Sequence, residues 1–500
     1  MILQRIGDWI YFENGAQKVW VNPVEIDFKD KGGGQVLISA RPTWAYQGQY
    51  EYVGAVTGVT NINGVAYGSA ISDIVSGIQA GSVSISTNNP AGDAFGRLRV
   101  SAPHSVFDSK ELDGSSSRIW CQQLNGSATS VKSDANSEWV MSVSANNDFA
   151  IRQTFQRFNY QAGKSQLALL TGSLSTEDNV NSRIGLIEGE VGSEASPYTA
   201  YNGIYFSSIN GTVYVNVLKN GSNTAVAQSS WNLDKMDGSG ASGLTVDFTK
   251  VQIFVIDFEW LGVGRVRFGF NINGITYYVH QMVHANILTS VYTKTPNLPV
   301  RYEIRSTGGS GSMQKICASI MSEGGVEQSG ITHIGSSELN TLTDNTAGTS
   351  NTVMAVIRLQ SDRPYSTLRL LSFSGLLFTD NPARWSIALC PGAFEISVNG
   401  TPTALDDLAG SVDLPGTTIN YWEASAAGLD TVAESVISPY TIEEGFLAGS
   451  KNAPASAIAP ADNLLSVGQG TDGCRSSFVI YAQAYGANTM RYALKFKEVI

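Results

Sequence analysis

The sequence predicts an all-β protein built of tandem jelly-roll or β-sandwich domains, preceded by a small β-rich N-terminal region. Three observations carry this. Apolar residues alternate with a period of two along many short runs, Asn-Gly pairs punctuate those runs, and charged residues make up only 15% of the chain. Alternation of period two sets one strand face on a core and the other toward solvent. Asn-Gly offers two successive residues that tolerate positive φ, as the tightest hairpin turns require. Soluble chains usually carry ~25% charge. Here Gly, Ser, Thr and Asn fill the shortfall, which suits short strands in tight turns and faces that are cheaply desolvated against a neighbour.

Five hundred residues exceed one core at ~150 residues per domain, so three regions are expected: 1–92, 95–320 and 326–500. In the first, Asp8-Trp9-Ile10-Tyr11-Phe12 and Lys18-Val19-Trp20-Val21-Asn22 flank Asn14-Gly15 and read as a hairpin. This region is expected to dock the chain, with Trp9, Tyr11, Trp20 and Trp44 as candidate subunit contacts. One short helix is expected where Ile71, Ile74, Val75 and Ile78 fall at i, i+3, i+4 and i+7 behind Ser69. The run Ser86-Thr87-Asn88-Asn89-Pro90-Ala91-Gly92 then ends all periodicity.

The middle region reads as strands over 137–144, 166–171, 203–206, 212–218, 251–260, 265–271 and 275–280. Turns are expected at Asn210-Gly211, Asn220-Gly221 and Asn273-Gly274. Strands at this spacing without intervening helices point to a sandwich and away from a parallel α/β sheet. The Gly- and Ser-rich stretches 306–312 and 322–325 read as loop or linker. In the last region Val353, Ala355, Ile357 and Leu359 share a face, Trp385, Ile387 and Leu389 alternate again, and strands are expected over 478–484 and 491–497. No fixed-period repeat is present, which excludes a propeller or solenoid.

The balance of 32 basic and 43 acidic side chains, net charge -11, repels phosphate backbones and anionic membranes, so neither nucleic acid nor membrane insertion is expected. The N-terminus turns polar at Gly7-Asp8 before an apolar run develops, so no signal peptide is expected. Cys121, Cys317, Cys390 and Cys474 lie far apart without CxxC pairing. They read as buried thiols, with neither a zinc site nor a disulfide framework.

Several fragments resemble parts of catalytic motifs, and each lacks a necessary member. Asp257 and Glu259 share a strand face, as two carboxylates of a glycosidase could. They resemble the E-x-D-x-E strand of laminarinase-like glycosidases, but Val255 stands where the nucleophilic Glu belongs. The expectation is a structural cluster in which Asp257 and Glu259 pair with Arg265 and Arg267 of a neighbouring strand. His280-Gln281-Met282-Val283-His284 has Gln281 in place of a catalytic Glu, and on a strand its histidines lie ~13 Å apart, too far to share one metal. Gly163-Lys164-Ser165 lacks the earlier phosphate-cradling glycine, for which Phe158 stands. Asp234-Lys235-Met236-Asp237-Gly238 offers only two carboxylates for a cation. The four histidines suggest no Ser-His-Asp set. No catalytic residue, cofactor or metal site is therefore expected, and most aromatic residues fall at core positions of strands.

Four stretches resemble recurring phrases of structural virion proteins of tailed bacteriophages. They are Gly96-Arg97-Leu98-Arg99-Val100-Ser101-Ala102-Pro103 leading to Phe107-Asp108-Ser109-Lys110, Gln156-Arg157-Phe158-Asn159-Tyr160-Gln161-Ala162-Gly163-Lys164-Ser165-Gln166, Ile256-Asp257-Phe258-Glu259-Trp260-Leu261-Gly262-Val263-Gly264-Arg265-Val266-Arg267-Phe268-Gly269-Phe270, and Thr295-Pro296-Asn297-Leu298-Pro299-Val300-Arg301-Tyr302-Glu303-Ile304. Together they cover about 95–310. The resemblance implies a place in a virion, synthesis in the host cytoplasm, and a Gly-Lys-Ser that belongs to a structural phrase. The resulting expectation is a homo-oligomer, a trimer, that binds other copies of itself and phage capsid or tail proteins. The alternative is a receptor-binding tail protein that recognises host glycans through exposed aromatics.

Overall fold

The structure is a computed structural model that describes residues 93–94, 103–112, 119–189, 200–324, 330–336, 340–342, 350–360, 366–415, 417–424, 430–447, 455–458, 467 and 476–499, together with the strand backbone of 2–6, 9–14, 17–21, 26–32 and 35–40. The chain forms two compact units, Met1–Ile85 and Ser86–Ile500.

In the first unit Ile2–Ile6, Trp9–Asn14 and Gln17–Val21 make a three-stranded antiparallel sheet, and Ile26–Gly32 pairs with Gln35–Ala40. The strands Trp9–Asn14 and Gln17–Val21 pair as expected, with Asn14 opposite Gln17 and Tyr11 opposite Trp20. The side chains of Trp9, Tyr11 and Trp20, all of Trp44, and the helix expected behind Ser69 lie outside the described residues.

The second unit holds two sandwiches, and the fold is all-β with jelly-roll layers. In the middle sandwich a seven-stranded sheet runs in the order Ser222–Ala227, Thr212–Lys219, Ala200–Ile209, Val180–Gly189, Val300–Ser306, Phe149–Thr154, Trp120–Asn125. The facing sheet runs Ile275–Met282, Val266–Ile272, Gln252–Phe258, Gln166–Gly172, Gly311–Glu323, Glu138–Val143, Thr129–Ser133, with Pro103–Ser109 also paired to Gly311–Glu323. Spatial neighbours are often remote in sequence, as when Val180–Gly189 pairs with Val300–Ser306. Alternation fills the space between the sheets. Phe254, Ile256 and Phe258 join the core, where Phe206 packs on Phe254, Phe268 and Phe270 with ring centroids 5.1–5.3 Å apart. Aromatic pairs at this spacing stabilise beyond the area they bury.

Four two-residue hairpin turns show why Asn-Gly is a reliable signal. At Asn210-Gly211, Asn220-Gly221, Asn273-Gly274 and Asn399-Gly400 the asparagines have φ of 48–53° and the glycines 76–83°. Both central residues need positive φ for the turn to match the right-handed twist of its strands.

Two expectations need correction. The segments 306–312 and 322–325 are not simply loop. Ser306 ends one strand, and Gly311 opens a strand that runs to Glu323, so residues 307–310 form a short crossing between layers. Glycine and serine lowered the apparent strand signal, yet Met313, Ala318 and Ile320 point into the core. The cysteines are not all thiols either. Cys121 is disulfide-bonded, whereas Cys317 and Cys390 are free. A disulfide partner distant in sequence leaves no spacing signature.

In the C-terminal sandwich a five-stranded sheet contains Ile331–Ser336, Asn488–Val499, Thr367–Leu377 and Ala455–Ile458 in that order, with Asn340–Leu342 also on Asn488–Val499. A nine-stranded sheet is centred on Ser350–Leu359, Ser476–Ala484 and Ala383–Pro391 and ends at Thr441–Leu447. One core lies between the sheets, around Leu370, Phe373, Trp385 and Leu494. A second, with Val353, Val356, Phe394 and Trp422, covers the far face of the larger sheet. Ser476–Ala484 is consequently buried along its whole length, as a strand covered on both faces must be. The two sandwiches meet where the Thr367 hydroxyl donates to the backbone carbonyl of Arg157 at 3.2 Å.

Candidate functional site

Segments within 103–110, 156–166, 256–270 and 295–304, separated by up to two hundred residues in sequence, pack on one another in the middle sandwich. Tyr160 packs against Phe258 at 5.9 Å and meets the edge of Trp260 at 6.4 Å. Its backbone N–H donates to Asn297 Oδ1 at 2.9 Å, and Phe158 N–H donates to the Leu298 carbonyl. Phe158 in turn packs on Phe107, 4.8 Å between centroids. Trp260 Nε1–H donates to the Thr293 carbonyl, and the Tyr292 hydroxyl donates to the carbonyl of Glu259 at 2.8 Å. These segments thus supply hydrogen-bond partners for one another's buried backbone and side chains.

The same junction holds a buried ion pair. Arg157 donates to Glu188, which also accepts from the Asn202 side chain, and Asn202 Oδ1 receives the backbone N–H of Asn220. Both charges are sealed from water. Such a pair contributes little net stability against an apolar substitute, but loss of one partner is costly.

The proposed structural cluster is divided by the structure into two parts. Register sets Asp257 directly opposite Arg267. Arg267 donates to Asp257 Oδ2, the Tyr278 hydroxyl donates to the same oxygen at 2.8 Å, and the guanidinium lies 4.1 Å above the Tyr278 ring. Asp257 and Arg267 are 0% and 1% exposed. Glu259 and Arg265 sit beyond the strand ends. Glu259 Oε1 accepts the backbone N–H of Arg265, while the Arg265 guanidinium turns to the carbonyls of Ala94 and Asp93. Burial pushes the Glu259 carboxyl above its ordinary range, opposed by the Arg265 N–H. A carboxylate closed from solvent and neutralised by an arginine, with buried Val255 two residues before it, is not arranged as a hydrolytic pair.

The other fragments are equally engaged. His280 Nδ1 accepts the Asn232 N–H, and burial pushes its pKa down to about 4. His284 Nδ1 lies 2.6 Å from the Gly264 carbonyl, and the ring stacks on Tyr292 at 4.4 Å. Asp234 caps the N–H groups of Met236 and Ser242, and Asp237 that of Ser239, so both carboxylates serve turns. Lys164 donates to Gln161 within a turn that leads into a strand. No group of metal-ligating side chains is found among the described residues. No described helix is long and apolar enough to cross a membrane. Of the tryptophans with described side chains, Trp120, Trp139, Trp231, Trp385 and Trp422 are buried.

Sequence reasoning missed one further cluster. Lys315 Nζ is ion-paired to Glu111 and lies 3.8 Å above the Trp120 ring, while Trp139 Nε1–H donates to Glu111 at 2.8 Å. Burial pushes the Lys315 ammonium down to about 8 against the pull of Glu111. A lone Lys amid Gly, Ser and Met gives no sequence sign of a partner about two hundred residues away.

No family profile matches the chain, and no curated protein matches it in sequence. Among solved structures, the β-glucanase of Bacillus licheniformis is similar over 44% of this chain and 99% of that one, with 11% identity and a TM-score of 0.29. The legume lectin-like domain from Entamoeba histolytica is similar over 42% and 91%, with 12% identity and a TM-score of 0.26. The Emp47p carbohydrate recognition domain is similar over 45% and 99%, with 10% identity and a TM-score of 0.29.

Proposed function

We propose that this chain is a structural subunit of a tailed-bacteriophage virion that acts by binding other protein chains, its own copies among them. One observation carries the reading. The segments that resemble phage virion proteins are spent on packing: Tyr160, Phe258, Trp260 and Asn297 lock three of the phrases into one buried junction. Buried charges within that block are paired internally, as with Asp257 and Arg267. A framework built this way presents stable sheet faces and spends its unusual residues on rigidity. The N-terminal residues form a compact unit of their own, Met1–Ile85, which suits a docking element. Deletion of residues 1–90 is expected to abolish incorporation into particles while the sandwiches keep their far-ultraviolet signal and melting transition. Mass spectrometry of purified particles with truncated chain still at wild-type abundance would overturn the docking role, and absence of the full chain from particles would overturn the reading itself.

A further inference from the structure

Lys315 and Glu111 meet inside the middle sandwich from segments about two hundred residues apart. Strand pairing sets Ser109 opposite Ala318, so Glu111, two residues past the end of Pro103–Ser109, comes alongside Lys315 of Gly311–Glu323. The Lys315 side chain is 0% exposed and that of Glu111 2%. Aromatic rings wall the amine: the centroid of Trp120 lies 3.8 Å from Nζ and that of Tyr302 5.8 Å. Trp139 Nε1–H donates to Glu111 Oε2 at 2.8 Å. The Ser109 hydroxyl donates to Oε1 at 3.4 Å and itself accepts from Trp120 Nε1–H at 2.8 Å. Arg152, its guanidinium 3.5 Å over the Trp139 ring, brings a second positive charge.

The attraction of two buried opposite charges only partly offsets the loss of their hydration, whereas an amide made from them is neutral. Burial, with a lesser push from Arg152, lowers Lys315 to about 8, so about one amine in ten is uncharged at pH 7, against fewer than about one in a thousand for an ordinary lysine. A lysine desolvated in an apolar pocket or set beside another cation is an activated nucleophile. Fixed, well-oriented contact between two reacting groups supplies an effective concentration of ~10⁵–10⁸ M.

We propose that Lys315 and Glu111 condense into an intramolecular isopeptide bond. Lys315 Nζ attacks Glu111 Cδ, and the negative charge that gathers on Oε2 is held by the Trp139 N–H, an oxyanion-type donor. The Cδ–Oε1 bond then breaks while the Ser109 hydroxyl donates to the departing oxygen. Oε1 leaves as water, carrying two of the three ammonium protons. One C–N bond forms, one C–O bond breaks, and neither an oxidant nor a co-reactant is required. Leu112, next in the chain, is 60% exposed, so the water has a short way out. The product would tie the segment after Pro103–Ser109 to Gly311–Glu323 and close a covalent loop around most of the middle sandwich.

Mass spectrometry of the full chain tests this, with the protein held folded at mildly alkaline pH and then reduced and denatured. The wild-type chain should weigh one water less than its sequence, and trypsin should release residues 111–118 joined to a peptide left uncut at Lys315. Lys315→Met should have its full sequence mass. Trp139→Phe, with an unchanged melting transition, should lag wild type in the fraction of chains bonded at equal times after synthesis. Full wild-type mass with ordinary cleavage after Lys315 overturns the proposal. So does a missing water that persists in Lys315→Met. Should that variant fail to fold, the joined peptide of the wild-type chain, present or absent, decides the matter alone.

Discussion

Arg267→Met removes the cation from a carboxylate that has no exposure to water and leaves Asp257 with the Tyr278 hydroxyl as its remaining side-chain donor among the bonds described above. Breaking a buried pair from one side costs about 3–5 kcal/mol, because an uncompensated charge stays behind. Domains of about 150–250 residues lose roughly 2–4 °C of melting temperature per kcal/mol. The transition of the middle sandwich should therefore fall by about 6–20 °C. Asp257→Leu should also be costly, since it strands the guanidinium over the Tyr278 ring. Joint replacement, Asp257→Leu with Arg267→Met, should recover most of the loss, because two matched apolar side chains remove both desolvation costs. Differential scanning calorimetry of the four proteins forms a complete cycle. A loss below about 1 kcal/mol for Arg267→Met, or additive losses in the double variant, would refute the buried-pair account.

Three further outcomes are expected. His280 is held neutral with a pKa of about 4 against an ordinary 6.5, so its contribution is full above about pH 6.5 and is lost as pH falls toward about 4, where only the unfolded chain takes up the proton. The loss is no more than about 3 kcal/mol, and denaturation midpoints of wild type and His280→Gln should differ in slope across that window; parallel curves would dismiss the effect. Gly274→Ala places a Cβ at φ +80° with no atom within 4 Å, so it should cost about 1–2 kcal/mol of purely conformational strain. A neutral result would mean the turn is not held left-handed. Peptide mapping without reductant should recover Cys121 only in a disulfide-linked peptide and Cys317 and Cys390 as alkylatable thiols, and an alkylated Cys121 would contradict the structure.

Much of the fold was legible because its signals are local. Asn273-Gly274 announces a hairpin whatever surrounds it, and the alternation of Phe254, Ile256 and Phe258 declares a face. What escaped depends on distant partners. Gly311–Glu323 reads as a weak, glycine-led segment until Gln166–Gly172, Glu138–Val143 and Pro103–Ser109 line up beside it. The Lys315–Glu111 pair and the Cys121 disulfide are invisible for the same reason. The divided fate of the acidic cluster is a matter of register. Asp257 and Arg267 oppose each other within a ladder, whereas Glu259 and Arg265 fall past its end and turn to backbone groups.

Gly311–Glu323 also sets a timetable for biogenesis. Its partner Pro103–Ser109 is translated about 200 residues earlier, and ribosomes add ~5–20 residues per second, so that segment waits roughly 10–40 s for its pairing. Through this interval Phe107 and its neighbours have only incomplete layers to cover them. Overexpression at high temperature should therefore yield insoluble nascent chains, and slower translation or added chaperone should raise the soluble yield without any change in the finished protein.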